Sequence, residues 1–168
     1  MSEHGAARTI ACVVTAVLLG AVAFGGTAFA DDDDSGEGHR SGDIVRGTPC
    51  TSDAVACVSL GAQRAWLFTD GQISYGPVPV STGAPGKQTP VGDHVVQWKH
   101  KNHTTNEFKT PQGKPAPMPY AVFFAEGGVA FHEGTLNRRS AGCVRLNHKD
   151  AEFFYNFLKL GDTVEVRG

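Results

Sequence analysis

The chain has 168 residues, a formal net charge of −2 and 19% charged side chains, so it lacks the basic excess expected of a nucleic-acid partner. Residues 10–24 are an apolar stretch after Arg8, and the run from 10 to 30 ends in Ala28-Phe29-Ala30, the pattern of an export signal cleaved near Ala30. At roughly 20 residues the same run is also long enough to stay uncleaved as a membrane anchor. Residues 31–47 open on Asp31-Asp32-Asp33-Asp34 and carry too little apolar surface to fold, which predicts an acidic, glycine-rich tether. Residues 48–168 then make one domain, large enough to hold a core without a metal.

Along that domain, the β-branched and aromatic runs at 55–60 and 64–69 predict two strands. Asp70-Gly71 after the second is a tight hairpin signal. The segment 78–81 leads into a Gly/Pro-rich ordered loop over 82–92, and residues 94–98 resume strand alternation. Residues 102–119 are polar and rich in Pro and Lys, so a surface loop that could cover a site is expected there. Strands at 120–124 and 129–132 follow, joined by a turn at Glu126-Gly127-Gly128. The one helix is predicted at 148–160, with Asn147 as N-cap, Gly161 as the stop, and Ala151, Phe154, Phe157 and Leu158 on its core face. Residues 163–166 alternate as a last strand. Many short strands with one late helix predict a mainly β fold, a sandwich or barrel-like domain with mixed sheet and the helix packed on one side.

Four cysteines are present, and removal of the signal takes Cys12 with it. Cys50 and Cys57 lie close together and suit a disulfide in an oxidising compartment, which leaves Cys143 as an unpaired thiol. An exported protein gains no stability from a lone oxidisable thiol, so its retention argues for reactivity. His132 precedes Cys143 at short range, and Ser140-Ala141-Gly142-Cys143 form a glycine-bearing turn. An imidazole to take the thiol proton, a thiolate to attack a carbonyl, and backbone N–H groups at Ala141, Gly142 and Cys143 to hold an oxyanion are the parts of nucleophilic acyl transfer. His132 and Arg145 are expected to depress the Cys143 pKa, and the second ring nitrogen of His132 to bond a backbone carbonyl, since Glu133 would point to the other face of a strand. His94, His100 and His103 are close in sequence but lack a zinc-ligand spacing, so no metal is expected. Trp98 and Tyr120 are expected to pack the core or line the cleft.

These residues carry a resemblance. Val80-Ser81-Thr82-Gly83 with Thr89-Pro90-Val91-Gly92, Met118-Pro119-Tyr120 through Phe131-His132-Glu133-Gly134, and Ser140-x-Gly142-Cys143-Val144-Arg145-Leu146 together resemble the L,D-transpeptidases of the YkuD type. The resemblance implies a β-sandwich enzyme that cross-links peptidoglycan: it releases D-alanine from a tetrapeptide stem, holds the peptide as a thioester, and passes it to a side-chain amine of another stem. It implies Cys143 as nucleophile, His132 as general base, Ser140 as brace of the turn, Gly142 and Cys143 as oxyanion donors, and Arg145 as a group orienting the turn or attracting substrate carboxylates. No cofactor is implied, and a monomer is expected. The chain departs from the family pattern at Ala141, where many members carry a second histidine, and in a shorter spacing from His132 to Ser140. Two other readings stay open: an L,D-carboxypeptidase, with water as acceptor, and a non-catalytic wall-binding module.

Overall fold

The computed structural model describes residues 42–168. The expected export signal and most of the expected tether lie outside the described residues. Within them the elements run β1 (Ala56–Ser59), β2 (Arg64–Thr69), β3 (Gln72–Pro79), β4 (Gly92–Val95), β5 (Trp98–Lys109), β6 (Pro115–Ala125), β7 (Val129–Glu133), β8 (Val144–Leu146), α1 (His148–Phe157) and β9 (Thr163–Arg167). One sheet has the order β3-β2-β1-β9-β4 and the other β5-β6-β7-β8. Each is antiparallel except for one parallel pair, β1 with β9 and β7 with β8. The sheets are open and face each other, so the fold is a mixed-sheet sandwich without barrel closure.

Alternation places the core. Val122 and Phe124 on β6, Phe131 on β7, and Val144 and Leu146 on β8 point inward to meet Ala56, Val58, Leu67, Val164 and Val166 of the first sheet. Helix α1 closes this core with Ala151, Phe154 and Leu158, and Phe154 lies 5.2 Å from Phe131, ring to ring. Asn147 caps the helix by accepting from the Asp150 N–H at 2.9 Å. The helix ends earlier than the sequence predicts, because Leu158 is extended and its carbonyl accepts the Lys99 ammonium at 2.6 Å.

Local chemistry accounts for most elements and for three departures from expectation. Asp70 and Gly71 both have positive φ, 51° and 71°, which makes the two-residue hairpin that joins β2 to β3. The predicted strand at 94–98 is two strands in different sheets, split at a corner where Val96 N–H bonds Asp162 and Gln97 N–H bonds Phe123. The predicted loop at 102–119 is instead most of a long hairpin, β5 with β6. Pro115, Pro117 and Pro119 alternate along β6 where it has β5 on one side and no paired strand on the other. Their missing N–H groups therefore all fall on the open edge, and the pairing survives. Residues 42–47, read as tether, belong to the folded unit: Val45 is buried with Cys50, Cys57, Trp66 and Phe68, and its N–H bonds the Cys50 carbonyl. Cys50 and Cys57 are disulfide-bonded inside that cluster.

Phe154→Ala should lower stability by about 3–5 kcal/mol, the range for emptying a fully buried aromatic site, read as a shifted denaturant midpoint at constant slope.

Candidate active site

The second sheet buries one face in the sandwich and builds the site on the other. In the parallel pairing of β7 with β8, Phe131 is opposite Val144 and His132 opposite Arg145. Because Phe131 and Val144 point into the core, His132, Arg145 and, one step back, Cys143 with Ala130 project from the opposite face. Cys143 is half-buried and packs against Met118, Ala121, Phe123 and Ala130 on that face. The sequence did not predict strand β8. Three residues long, it is too short to show a period, yet its pairing sets Cys143, the residue just before it, alongside the strand that carries His132.

The turn before Cys143 is held from two sides. Ser140 N–H bonds the Thr82 carbonyl, Ala84 N–H bonds the Ser140 carbonyl, and Ser81 and Arg145 exchange both backbone bonds, at 3.0 and 2.9 Å. Segment 81–84 thus ties the turn to the end of β3. Two hydroxyls finish the brace: Ser140 Oγ donates to the Cys143 carbonyl at 2.5 Å and accepts from Gly142 N–H at 3.1 Å, while Thr89 Oγ1 donates to the Gly142 carbonyl at 2.7 Å. Gly142 has φ 130°, a conformation that glycine adopts without strain. Its N–H is committed to Ser140, so of the two oxyanion donors that the resemblance implies, Gly142 and Cys143, only that of Cys143 has no hydrogen bond within the described residues. Ala141 is exposed and adds no polar side chain.

His132 Nδ1 lies 2.7 Å from the Glu133 carbonyl, which makes Nδ1 the protonated nitrogen and leaves Nε2 as a lone-pair acceptor. Burial drives the His132 pKa down to about 4, against the upward pull of that carbonyl, with Arg145 and His103 adding to the depression. The Glu133 carboxylate points to the other face and meets His148 Nδ1 at 2.9 Å. The Cys143 thiol behaves contrary to expectation. Burial raises its pKa above the ordinary cysteine value, with Glu107 adding to the rise, while an Ala130 backbone hydrogen bond and the Arg145 guanidinium pull down less strongly. Its Sγ donates to the Gly128 carbonyl at 3.7 Å rather than to His132. Both groups thus rest uncharged, a thiol and an imidazole on one face of the sheet.

Arg145 is buried and unusual in its partners. One terminal nitrogen donates to the Arg138 carbonyl, its Nε has no hydrogen bond, and no ion pair to it is present among the described residues. Gly134 makes room for it, since a Cβ at Gly134 would lie 2.5 Å from the Arg145 Cδ. Arg139 donates to Thr82 Oγ1 at 2.9 Å and lines a concavity of about 310 Å³ with Leu60, Thr82 and Thr89 behind the turn. The supporting roles of Thr89 and Gly134 were readable only as members of motifs. Their function depends on contacts that cross tens of residues. His94 lies apart, its Nε2 near the Pro90 carbonyl. Among the described residues no cluster of His, Cys, Asp or Glu is arranged to hold a metal.

The model of the YkuD L,D-transpeptidase catalytic domain matches residues 53–166. The chain belongs to this family. It is 30% identical over 105 residues to a probable L,D-transpeptidase 3 of Mycobacterium tuberculosis, covering 55% of this chain and 39% of that protein. Among solved structures, an L,D-transpeptidase from Stackebrandtia nassauensis superposes with a TM-score of 0.60 at 31% identity, over 67% of this chain and 54% of that one. The M. tuberculosis L,D-transpeptidase 3, solved with a faropenem-derived adduct, superposes with a TM-score of 0.61 at 25% identity, over 69% and 60%. This YkuD chain spans little more than half the length of those two structures, and less of the curated relative.

Two outcomes are expected of this YkuD domain. In protein lacking residues 1–41, alkylation without reductant should label Cys143 alone, and its rate should climb with pH to a midpoint above that of an ordinary cysteine. The His132 imidazole ionises near pH 6.5 when unfolded and near 4 when folded. The unfolded chain therefore takes up the proton first as pH falls, and stability present above pH 6.5 drains away towards pH 4, by roughly 3 kcal/mol. Urea titrations of wild type and His132→Gln across this window should show a steeper loss in the wild type by that amount.

Proposed function

We propose that this domain is an L,D-transpeptidase in activity as well as in family, acting on peptidoglycan stem peptides through a thioester on Cys143. The observation that carries the reading is the placement of a thiol and a neutral, Nδ1-tethered imidazole on one face of adjacent strands, beside a turn braced by Ser140 and Thr89. Sγ attacks the carbonyl of the third stem residue while Nε2 of His132 takes the thiol proton. The proton then passes to the amine of the departing D-alanine, leaving a thioester. A side-chain amine of a second stem attacks that thioester, gives its proton to His132, and restores the thiol when His132 returns it.

The neutral resting pair suits this sequence of steps. An imidazole of low pKa does not hold the thiol proton before substrate arrives, so attack and proton transfer proceed together on a bound carbonyl. The Cys143 N–H is the donor available to the oxyanion, and the buried positive charge of Arg145 favours anionic character at the same sulfur and oxygen. The reading places the protein outside the cytoplasm, exported by residues 1–30, in a compartment where the Cys50–Cys57 disulfide persists.

The deciding experiment incubates the protein with a purified tetrapeptide muropeptide and follows intact mass and released products. Wild type should gain the acyl mass and release D-alanine and cross-linked dimer; Cys143→Ala should do neither. His132→Ala should slow acylation by about two to four orders of magnitude. D-alanine without dimer would assign water as the acceptor, and a folded wild type with a free thiol, no adduct and no release would overturn the enzyme reading in favour of a binding module.

A further inference from the structure

On the site face of the second sheet, the row that begins at Cys143 continues through Ala130 and Phe123 to Trp98. Ala130 and Phe123 are directly paired across β7 and β6, and Phe123 and Trp98 across β6 and β5. The Trp98 indole stacks on Phe123 at 3.7 Å with 4° between the planes, and the His103 ring meets both edge-on, at 5.4 Å from Trp98 and 5.0 Å from Phe123. Phe123 is buried, whereas Trp98 is 43% exposed. Strand β5 is the sheet edge, so no strand covers the second face of the indole. His100, joined to His103 through their Nδ1 atoms at 3.4 Å, adds exposed polar groups beside the ring.

We propose that Trp98, backed by Phe123 and flanked by His103 and His100, is a subsite for the sugar that carries the donor stem. The inference rests on the transpeptidase reading of Cys143. A pyranose ring presents a face of C–H bonds that packs on the electron-rich face of an indole, and its hydroxyl and N-acetyl groups need polar neighbours at the rim, which the two imidazoles supply. The separation fits the donor. Three inter-strand steps from β8 to β5 span about 14 Å. Three stem residues, counted from the sugar to the carbonyl that Sγ attacks, extend over roughly 10 Å, and the ether-linked acid that joins them to the sugar makes up the rest. A stem lying across the row with its carbonyl at Cys143 therefore delivers its sugar to Trp98.

Two measurements test this. The first titrates the disaccharide of the glycan, without peptide, into ¹⁵N-labelled Cys143→Ala protein lacking residues 1–41 and follows the two indole N–H signals. Trp98 should shift saturably while the buried Trp66 stays still. The second compares acylation of wild type and Trp98→Ala by free tetrapeptide and by disaccharide-tetrapeptide. Wild type should prefer the glycosylated donor, and Trp98→Ala should lose about tenfold in kcat/KM on that donor alone. Equal acylation of both donors by wild type together with a motionless Trp98 signal would overturn the sugar subsite while the enzyme reading stands. A saturable Trp98 shift in a protein that neither donor acylates would remove the transpeptidase reading and leave sugar binding in place.

Discussion

The site depends on the parallel pairing of β7 with β8. An antiparallel neighbour could have reached β7 through a tight turn, but a parallel one must return by a crossover. Residues 134–143 make that return outside the sheet, and their far end is the turn that carries Cys143. The register then does the rest: with Phe131 opposite Val144 in the core, His132, Arg145 and Cys143 have no choice but the other face. A slip by one residue would exchange the faces, burying the imidazole in the sandwich and exposing Val144. Burial of Phe131, Val144 and Leu146 against α1 and the first sheet therefore holds the geometry of the candidate site as firmly as any bond within it.

Desolvation is the dominant electrostatic influence there. It pushes the imidazole down and the thiol up, and so works against a resting ion pair from both sides. Arg145 does not reverse this. Its positive charge favours a thiolate but opposes an imidazolium, and the pair as a whole gains little from it. A buried guanidinium with an unpartnered Nε is costly to keep. It is held by the Arg138 carbonyl and by the space at Gly134, which ties the short return loop to the sheet floor.

Much of this was legible in the sequence because it is local. The Asp70-Gly71 hairpin, the Asn147 cap, the short Cys50–Cys57 spacing, and the order His132, Ser140, Gly142, Cys143 each declare themselves within a few residues. What was not legible depends on partners far away in the chain. The Cys143 pKa was expected to fall because its charged neighbours are visible in sequence and its burial is not. Gly142 was expected to offer its N–H, which Ser140 occupies. The hairpin β5 to β6 was hidden by its exposure: with solvent on much of its surface it needs no apolar alternation, and its three prolines sit where no partner asks for their N–H groups.

That hairpin also contains the one backbone device that changes which residues meet the site. Tyr120 has φ 56°, in the left-handed region that few non-glycine residues adopt, and it lies at the point where strand alternation skips. Met118 thereby shares a face with Ala121 and Phe123, three and five residues away, where strict alternation would have turned it to the opposite side of the sheet from both. His103, paired with Met118, follows it and comes close enough to Trp98, Phe123 and His132 for ring contacts with the first two and an electrostatic effect on the third. The Tyr120 hydroxyl bonds Glu152 of α1 at 3.0 Å, so the helix that seals the core also holds the residue at which the alternation reverses. The chain lacks an imidazole at Ala141, close to Cys143 in sequence, but this reversal brings another to the same face from the opposite edge of the sheet.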